Sequence, residues 1–67
     1  MTMSPRFADI TVSLLEQAGK PVAQISMVRR ALQKAGHEQV AREFTELAFA
    51  AEEDELVELA RQFVTVV

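Results

Sequence analysis

Ser4-Pro5-Arg6-Phe7-Ala8-Asp9-Ile10-Thr11-Val12-Ser13-Leu14-Leu15-Glu16-Gln17-Ala18-Gly19 is the first stretch of the chain with a periodic apolar pattern, and its reading sets the fold class. A serine followed by proline is a helix-start signature. The serine oxygen can accept first-turn amide hydrogens, and proline at the first helical position has no N–H to leave unpaired. Phe7, Ile10, Leu14, Leu15 and Ala18 recur at steps of three and four, which predicts a helix with one buried side, closed by Gly19.

The same spacing recurs downstream. Val22, Ile25, Val28, Leu32 and Ala35 form a stripe from about Pro21 to Ala35, with Gly36 as its stop. The stripe passes Ser26 without a phase shift, which favours one helix over a shorter one capped by Ser26 and beginning at Met27. A very short link at Gly36-His37 places the next helix beside it, as an αα-hairpin or a more open corner. That helix runs from about Glu38 to Ala50 on Val40, Phe44, Leu47, Ala48 and Ala51. Glu52-Glu53-Asp54-Glu55 then opens a last helix, its acids at the positive end of the helix dipole, with Leu56, Leu59, Ala60, Phe63 and Val64 facing inward.

The expected fold is therefore all-α: one helical domain over residues 1–67, a small bundle of three to four short amphipathic helices. Residues 63–67 are rich in β-branched side chains, which suit an extended strand. Fraying of the last helix onto the core is the favoured reading. A short strand pairing with a partner or a second copy is the alternative.

Composition narrows the function classes. With 67 residues, a core of this size supplies only about 3–5 kcal/mol, and small domains commonly add disulfides, a metal or self-association. There is no cysteine and one histidine, which leaves oligomerisation or partner binding as the expected help. No apolar run approaches the roughly 18 residues of a membrane span, and the cytosol is the default compartment. Residues 1–42 carry six basic side chains against three acids, and residues 43–67 carry seven acids against Arg61 alone. The chain is thus electrically polar, able to offer faces of opposite sign.

Catalytic parts are missing. Nucleophilic catalysis needs a nucleophile, a base and an orienting group, and neither cysteine nor tyrosine is present. His37 follows Gly36 at a helix boundary, where capping or exposure explains it. The acids at 52–55 lack the twelve-residue spread and central glycine of an EF-hand loop. Gly19 and Gly36 are too far apart to cradle a phosphate. No enzyme activity, metal, cofactor or small-molecule substrate is implied.

Two surfaces remain as candidates. Ser26, Arg29, Arg30, Gln33 and Lys34 form one polar face if residues 22–35 are helical, with cations spaced for phosphates and Gln33 free for a base edge. An acidic balance, a sequence pI near 5.0 and the lack of a basic tail weigh against nucleic acid. Three apolar side chains fall off the helical stripes: Val12, Met27 and Phe49. Phe49 is expected to be covered by the segment that follows it. Met27 with Ala31 can form an adaptable apolar patch.

The chain lacks the loop motif of ubiquitin-associated domains, the six helices of a death fold and the turn signature of helix-turn-helix repressors, so no family is assigned. The leading expectation is a non-enzymatic interaction module, an adaptor or inhibitor of the kind phages and mobile elements often encode, binding a protein partner or itself. Its contact residues are Met27, Arg29, Arg30, Ala31, Lys34 and Phe49. A small DNA- or RNA-binding regulator using the basic helical face is the alternative.

Overall fold

The computed structural model describes residues 5–17 and 19–67; the Ser4 cap and the Ala18 stripe position fall outside them. Its architecture is mixed α/β, which corrects the all-α expectation. Strand β1 (Phe7–Val12) is followed by a 3₁₀ turn at Leu15–Gln17, helices α1 (Pro21–Lys34) and α2 (Glu38–Ala50), a second 3₁₀ turn at Glu53–Glu55, helix α3 (Leu56–Arg61) and strand β2 (Val64–Val66).

The first predicted helix is a strand because the same residues also satisfy a period of two. Ile10, Val12 and Leu14 are buried, while Thr11 between the first two is exposed. Val12, an outlier on the helical wheel, is only 5% exposed. β-branched Ile10, Thr11 and Val12 lose side-chain freedom in a helix and fit a pleated surface. What fixes the choice is the other end of the chain. β2 lies parallel to β1, with Phe7 opposite Val64, Thr11 opposite Thr65 and Val12 opposite Val66, and an irregularity between Phe7 and Thr11.

Bonds outside the regular register extend the pairing. The Phe7 N–H donates to the Phe63 carbonyl at 2.8 Å and the Val67 N–H to the Val12 carbonyl at 3.0 Å. The tail is thus extended, as the alternative reading had it, but its strand partner belongs to the same chain rather than to another molecule. A parallel pair needs a long crossover, and the three helices supply it.

The helical hairpin follows the sequence closely. α1 starts at Pro21 and runs unbroken through Ser26. It ends in a Schellman motif: the His37 N–H reaches the Leu32 carbonyl at 2.8 Å and the Gly36 N–H reaches Gln33 at 3.0 Å, with Gly36 at φ +89°. This closure turns the chain back within two residues, so α2 packs beside α1. The acidic run opens a 3₁₀ turn, and α3 begins only at Leu56.

The core sits between the hairpin, the sheet and α3. Leu14, Val28, Leu32, Phe44, Leu56 and Val64 are its largest fully buried side chains, and Phe44 meets Phe63 edge-on at 5.4 Å. Val22 and Leu47, expected on buried stripes, are exposed instead. Among the described residues no helix is long and apolar enough to cross a membrane.

Candidate interaction surface on the helical hairpin

The six residues expected to form one contact patch are divided by the fold. On α1, Met27 and Arg29 point about 160° apart by the helical step. Met27 and Ala31 are half-buried and pack against the core, on the flank of α1 away from α2. Arg29 lies on the opposite flank, facing α2. Arg30 and Lys34 are exposed on the outward ridge between these flanks. Phe49 is not covered by the segment after it and stays 66% exposed on α2. Met27 and Phe49 therefore do not share a surface.

What the structure does bring together is a groove along the outer side of the hairpin. Arg29 and Gln33 of α1 face Glu38, Arg42, Thr45 and Glu46 of α2 across an open cleft of about 330 Å³. Two-residue closure at Gly36-His37 produces this pairing, because it sets the stripe after Leu32 against the stripe after His37 in opposite directions. The Thr45 hydroxyl is used internally, donating to the Ala41 carbonyl at 2.7 Å. Both arginines line the cleft without a carboxylate in salt-bridge range: among the described residues the ion pairs are Arg6–Glu43 at 3.6 Å and Arg61–Glu58 at 3.0 Å.

Phe49 extends the line of the groove. Arg42, Thr45, Glu46 and Phe49 follow at three- and four-residue steps on one face of α2. On α1, Val22, Ser26, Arg29 and Gln33 do the same, and Val22 is 64% exposed. The face thus grades from two arginines near the turn to two exposed apolar side chains at the far end. Reading the two helices separately missed Arg42 and Val22. The seven-residue spacing from Arg42 to Phe49, combined with the short Gly36-His37 link, is the signal that would have found them.

Charge is distributed along the same axis. α1 contains no acidic residue, and Arg29, Arg30 and Lys34 in its last two turns make no salt bridge among the described residues. Exposed Glu52, Glu53, Asp54 and Glu55 follow α2 at the end away from the turn. The acids at 52–55 thus lie beyond the far end of α2, while Glu38 and Glu46 share the cleft with Arg29 and Arg42.

His37 has a packing role rather than a capping one. Its side chain makes no cap hydrogen bond, and its ring lies 4.3 Å from that of Phe7. Arg6 lies over Phe63 and Phe7, 5.2 and 5.9 Å from their centroids, beside Glu43. Among the described residues no three His, Asp or Glu side chains come together in a way that could hold a metal ion.

Fold and surface define a small mixed α/β domain with a polar-to-apolar face on a helical hairpin. The chain matches no protein-family model, no curated protein and no solved structure.

Proposed function

We propose that this protein is a non-enzymatic protein-binding module, an adaptor or inhibitor working in the cytosol, whose contact surface is the outer face of the α1–α2 hairpin. The observation that carries the reading is Phe49, a large aromatic 66% exposed in line with a groove whose two arginines, Arg29 and Arg42, make no salt bridge among the described residues. Aromatic and arginine side chains dominate binding energy at protein interfaces, whereas isolated exposed aliphatics are ordinary surface. Arg29, Arg30 and Lys34 flank the face; Met27 and Ala31 pack against the core on the opposite flank of α1 and lie outside it.

The test is capture from the native host with wild-type protein and with Phe49→Asp, both checked for unchanged helicity. Partners recovered by wild-type and lost with Phe49→Asp support the reading. An identical set from both baits removes it.

A second reading rests on α1 alone, which has three cations and no acid. Phosphate contacts by Arg29, Arg30 and Lys34 make it a candidate nucleic-acid helix. Binding of duplex DNA or RNA that falls steeply with salt, and is weakened in an Arg29→Ala/Arg30→Ala variant, supports this alternative. Absence of binding at low salt eliminates it.

A further inference from the structure

We infer that the surface received at Phe49 is cationic: an arginine-bearing basic segment of another protein, its guanidinium stacked on the Phe49 ring and its charge met by the acids around the ring. The inference rests on the protein-binding reading above and names the chemistry of the partner.

The first argument is charge. From residue 43 to residue 60 the chain carries seven acids and no lysine, arginine or histidine. Glu43 is met by Arg6 and Glu58 by Arg61, while Glu46, Glu52, Glu53, Asp54 and Glu55 make no salt bridge among the described residues. All five are exposed. Glu46 stands one turn before Phe49 on the same face of α2. Glu52 and Glu53 follow Phe49 within four positions, a span that even extended backbone cannot stretch beyond about 14 Å. The nearest cations along the chain and at this end of the hairpin are fewer. Arg42 lies two turns back along α2, about 10 Å away, and Lys20 precedes α1. With screening over about 8–10 Å at ordinary ionic strength, the acids set the sign of the field at the ring.

The second argument is the helix end. Phe49 lies in the last turn of α2, where the final carbonyls form the negative end of the helix dipole. That turn holds no basic side chain, and Ala51 is extended at ψ 152°, its N–H returning to the Ala48 carbonyl. α1 closes differently, with a Schellman motif and Lys34 in its last turn. A cation brought to the end of α2 from outside supplies the donors that Lys34 offers on α1.

The third argument is the ring itself, and the fold contains its own precedent. Arg6 lies over Phe63 at 5.2 Å while its guanidinium meets Glu43 at 3.6 Å. Phe49 and Glu46 offer the same two elements one turn apart, and among the described residues no cation lies over Phe49. Arginine suits this arrangement better than lysine, because its planar guanidinium can stack on a ring and pair with a carboxylate at once. Val22, 64% exposed at the same end of the hairpin, lends apolar surface for the arginine stem.

Titration of the labelled full chain at low salt, followed by NMR, tests the proposal. The probe is a short acetylated and amidated helical peptide with two arginines one turn apart beside a leucine. We expect saturable binding that shifts the signals of Phe49 and its sequence neighbours first. Phe49→Leu keeps apolar bulk but removes the ring, and should weaken binding roughly threefold. Glu46→Gln/Glu53→Gln should weaken it at least about fivefold, against less than about twofold for Asp9→Asn/Glu38→Gln, which removes equal charge elsewhere. Lysine in place of the peptide's arginines should weaken binding severalfold, and circular dichroism confirms that each variant folds. Equal weakening by the two double variants, indifference to Phe49→Leu, or no binding at about 1 mM peptide overturns the inference. So does wild-type self-association, seen by sedimentation, that is lost both in Phe49→Leu and in Arg30→Ala/Lys34→Ala, because the occupant is then α1 of a second copy. Host capture that requires Phe49 but is unchanged in Glu46→Gln/Glu53→Gln overturns only the cationic partner and leaves the protein-binding reading in place.

Discussion

The Phe7 ring rests against the His37 imidazole, with centroids 4.3 Å apart and planes tilted by 36°, and so ties the start of β1 to the turn between α1 and α2. Aromatic pairs of this kind contribute about 0.5–1.5 kcal/mol beyond the area they bury. A double-mutant cycle with Phe7→Leu and His37→Ala, read by urea unfolding, should return a coupling energy in that range. A coupling near zero would mean the rings are neighbours without being partners.

This contact also explains what was legible in the sequence and what was not. The hairpin could be read locally: Pro21 starts α1, Gly36 stops it, and the Ile25/Val28/Leu32 and Phe44/Ala48 stripes face inward as spaced. The first segment could not. Phe7, Ile10 and Leu14 fit a helical period while Ile10, Val12 and Leu14 fit a strand period, and the arbiter is β2, more than fifty positions away. Val12 was the local hint, since a β-branched residue that disagrees with a helical stripe agrees with a strand. The contact surface failed in a related way. Helical wheels identified Met27 and Phe49 as outliers from their stripes but not which flank of each helix the neighbouring elements would cover.

Phe44 is fully buried and meets Phe63 edge-on at 5.4 Å, joining α2 to the residue just before β2. Phe→Ala in a core costs about 3–5 kcal/mol, comparable to the whole stability expected of a domain this small. Phe44→Ala should therefore be largely unfolded at 25 °C by circular dichroism. Phe44→Leu, which keeps most of the volume, should fold with a lowered urea midpoint. A cooperative, near-wild-type melt for Phe44→Ala would contradict this account of the core.

The strand pairing makes a prediction about hydrogen exchange. Phe7 N–H and Val67 N–H are held by Phe63 and Val12 of the same chain. Their protection should persist on dilution to concentrations at which any dimer has dissociated. Thr65 adds a cross-strand bond, its Oγ1 donating to the Ala8 carbonyl at 2.8 Å. Thr65→Val should cost about 0.5–1.5 kcal/mol and speed exchange at Phe7 and Val67 first. Protection that disappears on dilution would move the pairing from within the chain to between chains.

Gly36 has φ +89°, and a Cβ built there meets nothing within 4 Å. The cost of a side chain is then purely that of the left-handed backbone, about 1–2 kcal/mol for alanine and less for asparagine, which tolerates that region better. Gly36→Ala should lower the melting temperature clearly and Gly36→Asn only slightly. Equal effects of the two substitutions would point to a steric cause that the open surroundings of Gly36 do not provide.

Gln24 is the one buried polar side chain among the described residues, and its hold on the core is slight. Its Nε2 donates to the Leu14 carbonyl at 3.5 Å, the outer limit for such a bond, while the same carbonyl accepts the Gln17 N–H at 2.9 Å. Removing the amide leaves that carbonyl still paired, so the penalty of an orphaned acceptor does not arise. Methionine has nearly the same length and volume and carries no polar group to desolvate. Gln24→Met should therefore change stability by less than about 1 kcal/mol and can raise it, in contrast to Gln24→Ala, which opens a cavity and should destabilise clearly. A loss of 2 kcal/mol or more in Gln24→Met, measured by urea unfolding, would show that the long bond to Leu14 carries more of the junction between β1 and α1 than its geometry implies.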